Sequence, residues 1–142
     1  MNRLLIIGFL LSSIISCAGS PTQSSPAKSL YEDYIAGQNL EALPRINAFK
    51  FRGWRSLDNR HLIINTSPKK PYLITLQSAC TELNYSHGIA INHSGTNILY
   101  TGSDSITVPG SPEQKCFIKA IYALTDQQAD EIARLNKPDS SS

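Results

Sequence analysis

Short runs of alternating apolar and polar residues, separated by turn residues, fill the middle of the chain and predict a series of β-strands. The runs at 61–66 and 72–76 flank a turn at 67–71 and predict a hairpin. The run at 116–124 carries apolar residues on both parities, which is typical of a central strand buried on both faces. Three further short strands are expected at 88–92, 97–101 and 105–108.

A helix is predicted at each end of this region. Ser29 and Glu32 have the spacing of a capping box, and the apolar face that follows ends at Gly37. Thr125 and Gln128 repeat that spacing ahead of an apolar stripe of helical period. The stripe consists of Ala129, Ile132, Ala133 and Leu135.

These elements predict the α+β class: a curled antiparallel β-sheet flanked by short N- and C-terminal helices, in one domain spanning 29–136. The apolar stripe of the last helix requires a partner, and the sheet is the largest surface available. Bulky side chains at 46–54 indicate an additional, irregular strand, and a helical turn is expected at 79–83.

The first seventeen residues have the pattern of a lipoprotein signal. Arg3 supplies a positive charge, an apolar run follows, and Ile-Ile-Ser-Cys at 14–17 matches a lipobox, whose cysteine receives the lipid. We therefore predict a lipoprotein signal peptide at 1–16 and the attachment of acyl chains such as palmitate at Cys17, which would anchor the protein to a membrane.

Ala18 bears on where the protein is delivered. An aspartate at this position would signal retention in the inner membrane, so alanine favours the outer membrane, with the domain facing the periplasm. Together with Ser16, Ala18 also permits ordinary signal peptidase cleavage, which would release an unlipidated protein. The polar, proline-containing segment 17–28 is expected to be a flexible tether, and 137–142 a disordered tail.

Charge and motifs exclude several classes of function. The formal net charge of +2 falls to +1 when the predicted signal peptide is removed. This balance argues against nucleic-acid binding, which usually requires a concentrated basic face. The sequence contains no phosphate-binding glycine loop, zinc motif or calcium loop, so no cofactor or metal is predicted.

Two of the three cysteines remain once Cys17 is assigned to lipidation. Cys80 and Cys116 form an even pair in a compartment that would be oxidising, and we predict a disulfide between them. A redox-active pair is the alternative, but the C-x-x-C spacing typical of such sites is absent.

The titratable residues form no catalytic motif in the sequence. His87 and His93 would lie about 20 Å apart on a straight strand, and we interpret these two and His61 as scattered surface histidines. Asp58 and Asp104 are ordinary turn aspartates, and no G-x-S-x-G nucleophile motif occurs. We therefore predict no catalytic residue. A small envelope hydrolase, with a polar cleft that gathers two or more of these five side chains, remains an alternative.

The segment 50–55, Lys-Phe-Arg-Gly-Trp-Arg, interleaves basic and aromatic residues. Such side chains can stack on and neutralise an anionic ligand such as a lipid headgroup or a cell-wall glycan. The alternative is that Phe51 and Trp54 pack into the core while the arginines extend into solvent. Arg52, Trp54 and Arg55 are the candidate ligand-binding residues.

Several motifs occur in a fixed order, and the last of them precedes a helix. They are Trp54…Leu57-Asp58, Leu62-Ile63-Ile64, Tyr72-Leu73-Ile74-Thr75-Leu76, Cys80…Leu83, Ser103-Asp104…Ile106…Val108 and Cys116-Phe117-Ile118. This order resembles an uncharacterised family, a domain of unknown function, of small proteobacterial secreted proteins and lipoproteins. The resemblance covers residues 45–125 and implies a periplasmic, disulfide-containing domain without implying an activity.

The sequence thus favours a non-enzymatic lipoprotein, anchored in the outer membrane, whose small domain binds or supports an envelope protein or glycan. A secreted inhibitor or anionic-ligand binder that uses the surface from Arg52 to Arg55 is the first alternative, and the envelope hydrolase is the second. The oligomeric state is not predicted.

Overall fold

A computed structural model of the protein describes residues 29–110 and 114–137. The predictions for the signal peptide, Cys17, the tether and the residues from 138 onward lie outside the described residues. The helices are α1 (Leu30–Gly37) and α2 (Asp126–Arg134). The strands are β1 (Ala42–Leu43), β2 (Arg45–Ile46), β3 (Gly53–Ser56), β4 (His61–Asn65), β5 (Pro71–Leu76), β6 (Ala90–Asn92), β7 (Leu99–Tyr100), β8 (Ser105–Thr107) and β9 (Lys115–Ala123).

The strands form a curled antiparallel sheet, a half-barrel, with the order β3-β4-β5-β9-β8-β6. β1 pairs with the far end of β9, and β2 and β7 pair separately. The ring of Phe49, which precedes β3, lies 6.1 Å from that of His93, which follows β6, so the two ends of the curled path approach each other. The predicted α+β fold with its hairpin at β4–β5 is confirmed.

Successive side chains of a strand point to opposite faces of the sheet, and apolar side chains are buried on both faces. On the first face, residues such as Leu62, Ile64 and Ile74 form the larger core. On the opposite face, Ile63 and Leu73 pack beneath the two helices, which contribute Tyr31, Ile132 and their neighbours. The apolar stripe of α2 therefore finds its partner in the sheet, as predicted.

A β-bulge explains why apolar residues occur on both parities of β9. Thr75 pairs with Ala120, but the next residue, Leu76, pairs with Ile118, so Lys119 is an extra residue. The bulge brings Ile118 and Ile121, which differ in parity, to the same core. Burial on both faces was predicted for the whole strand, and this is wrong for its first part, where Phe117 is 39% exposed.

Two local predictions are wrong because single residues take left-handed backbone conformations. The irregular strand expected at 46–54 is interrupted at Ala48, whose φ is 53°, and the pairing resumes only at Gly53 and extends to Ser56. The helical turn expected at 79–83 contains Glu82 with φ 68°, and the chain forms turns there instead of helix.

Both predicted helix starts are confirmed. The Ser29 side chain accepts a hydrogen bond from the Glu32 N–H, and Thr125 and Gln128 form the full reciprocal capping box. The two helices contact each other through Tyr34, whose hydroxyl donates to the Glu131 carboxylate at 2.9 Å. α1 and α2 thus cover one face of the sheet as a joined pair.

The disulfide between Cys80 and Cys116 is present, with a Cα–Cα distance of 5.7 Å. Both cysteines are fully buried in the larger core. The bond connects the turns that follow β5 to the first part of β9, and so holds the segment between them against the sheet.

Candidate functional site

The candidate ligand-binding residues lie at one end of the sheet, because β3 is the first strand of the path. Trp54 pairs with Ile64 and Arg55 pairs with Ile63, so the two side chains extend to opposite faces. Trp54 is half-buried and packs against the larger core, whereas Arg55 and Arg52 are exposed. Part of the packing alternative therefore holds, since the tryptophan anchors the strand while the arginines remain in solvent.

A groove of about 320 Å³ runs beside this strand, between the sheet and α2. Trp54 and Arg55 line its sheet side, and Asp126 and Asp130 line its helix side. Its remaining lining residues are Ile63, Asn65, Pro68, Pro71 and Ala129. The groove is polar and open, and it is large enough for one or two side chains of a bound partner.

Positive charge is concentrated around the start of β3. The segments 49–57 and 65–72 contain five basic residues and no acidic residue. They are Lys50, Arg52, Arg55, Lys69 and Lys70, all exposed. The last two belong to the turn after β4, whose end pairs with Gly53. In the described part of the chain none of the five forms an ion pair, and Phe51 among them is 43% exposed. We call these five basic residues with Phe51 and Trp54 the basic edge.

Asp58 and His61 form a close pair in the turn between β3 and β4. The Nδ1 of His61 lies 2.9 and 3.0 Å from the two carboxylate oxygens, and the N–H groups of Arg60 and His61 each donate to Oδ1 at 2.7 Å. Burial tends to raise the pKa of Asp58, but the hydrogen bonds from the His61 ring and these N–H groups lower it below its usual value. A carboxylate can only accept, so the Nδ1 of His61 carries a proton.

The interpretation of His61 as a surface residue is wrong, because its side chain is almost entirely buried at 1% exposure. Tyr31 of α1 covers it, with ring centroids 5.0 Å apart, and the Tyr31 hydroxyl donates to the Leu57 carbonyl at 3.0 Å. The ring is therefore closed off from any substrate in this conformation. Among the described residues its Nε2 has no hydrogen-bond partner, and neither has the buried hydroxyl of Thr75, which faces His61 across the strand pair.

The unpaired Thr75 hydroxyl leads to a stability prediction. Valine has nearly the same shape and a strong strand preference, so Thr75→Val removes a buried polar group without opening a cavity. We expect the free energy of unfolding to rise by about 0.5–1 kcal/mol, as measured by urea denaturation. Thr75→Ser, which keeps the hydroxyl and removes the methyl group, is the control and should destabilise. A loss of stability in the valine variant would show that the hydroxyl is hydrogen-bonded.

Asp104 organises the loop before β8 from a buried position, with 1% exposure. Its carboxylate accepts from the N–H and hydroxyl of Ser94 at 3.0 and 2.9 Å, and from the N–H of Tyr100 at 2.7 Å. Burial tends to raise the pKa of Asp104, but these N–H donors and the hydroxyls of Ser94 and Ser103 lower it. Both oxygens are occupied by the loop, so the carboxylate has a structural role.

The five side chains of the hydrolase alternative are divided among three places, and two of these places each bring a pair of them together. Asp58 and His61 form the closed pair described above, His93 and Asp104 line a separate hollow, and His87 lies in a third. His87 and His93 are exposed, as expected. Within residues 29–110 and 114–137 no group of three or more histidine, cysteine, aspartate or glutamate side chains is arranged to hold a metal ion.

Sequence reasoning missed several contributors to these sites. The carboxylates of Asp126 and Asp130 reach the groove only because α2 packs on the sheet face that carries Ile63 and Leu73, and no local pattern indicates this. The role of Asp58, by contrast, has a local signal: an aspartate that accepts from N–H groups two and three residues ahead is typical of turns. None of the helices in the described residues is long and apolar enough to cross a bilayer.

One family model matches almost the whole chain. The match covers residues 1–138 and is to a family described as "Family of unknown function (DUF6491)". It extends beyond residues 45–125, on which the resemblance to a domain of unknown function was based, in both directions. Neither a curated protein nor a solved structure matches the chain.

Proposed function

We propose that this chain, which belongs to the family of unknown function DUF6491, is a lipid-anchored envelope protein whose domain binds a partner without catalysis. The observation that carries this proposal is the basic edge, in which five exposed cations lie with the exposed Phe51 and the half-buried Trp54 at the end of the sheet. Cations that have no ion-pair partner among residues 29–110 and 114–137 are available to an anionic partner, and aromatic side chains add contact area.

The proposed location rests on the N-terminal pattern. A lipobox ending at Cys17 predicts an acylated cysteine, and Ala18 favours the outer membrane with the domain in the periplasm. The disulfide between Cys80 and Cys116 supports an oxidising compartment, since such bonds persist mainly outside the cytosol. We include a proteobacterial source in the proposal, from the resemblance alone.

A mass measurement tests the anchor. The protein extracted from a membrane fraction should have the mass of a chain beginning at Cys17 plus acyl groups, and reduction should add two protons at the disulfide. Cys17→Ser should abolish the acyl mass and move the protein to the soluble fraction. An unacylated chain beginning at Gly19 in the soluble fraction would contradict the anchor.

That outcome would favour the second candidate, a freely diffusing binder of anionic ligands that uses the same edge. The observation that supports it is the groove beside Trp54 and Arg55, which a ligand group can enter from solvent. The two candidates share the binding surface and differ in whether the domain is held at a membrane.

Site-specific crosslinking tests the surface in cells. A photoreactive amino acid placed at Arg55 should capture one dominant neighbour, and the charge reversals Arg52→Glu and Lys70→Glu together should reduce the captured amount at least fivefold by removing attraction. The same photoreactive residue at Lys119, an exposed position on β9, is the matched control. Equal capture from both positions, or no effect of the reversals, would contradict binding through the basic edge.

A further inference from the structure

The outer side of β3 has main-chain groups without partners. In an antiparallel pair, the main chain of every second residue forms hydrogen bonds with the neighbouring strand. The Leu57 N–H donates to the His61 carbonyl at 2.9 Å, so Arg55, two residues earlier, also forms main-chain hydrogen bonds with β4. Trp54 and Ser56 are the alternate residues of β3, so their N–H and C=O groups point away from β4. Among the described residues none forms a hydrogen bond with these four groups.

An unpaired strand edge is a template for another strand. Natural edges are protected by covering elements, by bulges or by charges that repel a second copy. Here the N–H of Arg52 also bonds to the Asn65 carbonyl, which gives a bulge at the start of β3. The bulge limits the open edge to the four residues of β3, about 13 Å of strand.

The charges around this edge select the kind of strand that it can accept. The five cations of the basic edge repel a second copy of β3 and attract acidic side chains. The carboxylates of Asp126 and Asp130 lie across the groove and offset part of the charge of Arg55. The excess of positive charge is therefore at the start of the strand, where Lys50 and Arg52 precede Gly53.

We infer that β3 binds an extended, acidic peptide segment of a partner protein by strand addition, an inference that rests on the proposed function and specifies its partner. The segment pairs its main chain with Trp54 and Ser56. Its acidic side chains lie near Arg52 and the turn at Lys69 and Lys70, and one side chain enters the groove beside Arg55. The partner thus contributes an outer strand to the half-barrel.

A peptide selection tests this inference on the whole predicted mature chain, residues 17–142, with Cys17→Ser so that no lipid is attached. A displayed library of random ten-residue peptides is selected against the domain, and the enriched peptides are synthesised. Trp54 is the only tryptophan in the chain, so its fluorescence reports binding directly. We expect the enriched peptides to be acidic and rich in β-branched residues, and to shift and protect the amide resonances of Trp54 and Ser56 in NMR spectra.

Two changes isolate the main-chain pairing. Ser56→Pro removes an N–H that points away from β4, and it also removes a hydroxyl that donates to the Asp58 carbonyl and to the Asn84 side chain. It should weaken the binding of the peptides at least tenfold, whereas Ser56→Ala, which removes only the hydroxyl, should not. Methylation of alternate main-chain nitrogens in the peptide should weaken binding by the same factor. This measurement uses the unchanged protein, so it tests the pairing even if the proline variant fails to fold. The reversals Arg52→Glu and Lys70→Glu should also weaken binding about tenfold, whereas the control Lys119→Glu should not.

Each other outcome overturns strand addition. If neither the Ser56→Pro change nor methylation of the peptide nitrogens weakens the binding of the enriched peptides, the peptides are recognised through their side chains only. An absence of enriched peptides, while crosslinking at Arg55 still captures a neighbour, would refute strand addition and leave the proposed function standing. Charge-dependent adsorption to phosphatidylglycerol vesicles, without enriched peptides, would assign the edge to a lipid surface instead.

Discussion

Replacing both Cys80 and Cys116 with alanine should lower the free energy of unfolding by roughly 3–4 kcal/mol. The bond joins residues 36 positions apart, and its removal restores to the unfolded chain the freedom that the closed loop had denied it. This loss is large relative to the marginal stability of a small domain. Urea denaturation of the oxidised protein and of the double variant measures it.

Reduction of the wild-type protein provides the matched control, since it opens the same loop without changing a residue. The reduced protein and the double variant should have similar stabilities. Hydrogen exchange should show the largest loss of protection between β6 and the start of β9, because the bond holds this part of the chain against the sheet. A loss below about 1 kcal/mol would mean that the core alone fixes this segment.

Asp104→Asn should destabilise the domain by about 2–4 kcal/mol. The asparagine oxygen can still accept from the Ser94 N–H and hydroxyl, but its NH₂ group then faces the Tyr100 N–H, which donates to Asp104 at 2.7 Å. These two buried donors would face each other, so neither would have an acceptor. Asp130→Asn, at an exposed position on α2, is the control and should change stability by less than about 0.5 kcal/mol.

The pH dependence of the same variant follows from the lowered pKa of Asp104. A carboxyl whose pKa is lower in the folded state stabilises the protein above its unfolded pKa of about 4, and this contribution disappears as the pH falls through the folded pKa. The stability difference between the wild type and Asp104→Asn should therefore be full at neutral pH and shrink below pH 4. A constant difference would mean that the charge of Asp104 contributes nothing.

The elements that sequence reasoning located well are those with both a periodic pattern and a local stop signal. The capping boxes at Ser29 and Thr125 fixed the helix starts, and the turn at 67–71 fixed the hairpin. The strand at 46–54 was misplaced because Ala48 adopts a left-handed conformation, and the residue type alanine does not indicate one. The bulge in β9 was missed because its two-parity pattern also fits a strand buried on both faces.

The buried polar residues could not be recognised from the chain because their environments are assembled from distant segments. His61 is covered by Tyr31, which lies on α1. Asp104 is distinguished from any other turn aspartate only by the donors of Ser94 and Tyr100. The basic edge is different, since its composition was visible in residues 50–55, and only its position at the end of the sheet and its groove required the fold.

The central position of β9 has a consequence for the order in which the domain can fold during synthesis. A ribosome delivers the chain from its N-terminus, and β9 follows all the other strands of the described residues. β5, β8 and β1 all pair with β9 and none of them pairs with another of the three, so the halves of the sheet stay separate until it emerges. A nascent chain that ends before Lys115 could therefore form the β3-β4-β5 and β6-β8 pairings but not the complete sheet, whose parts join only when β9 is available.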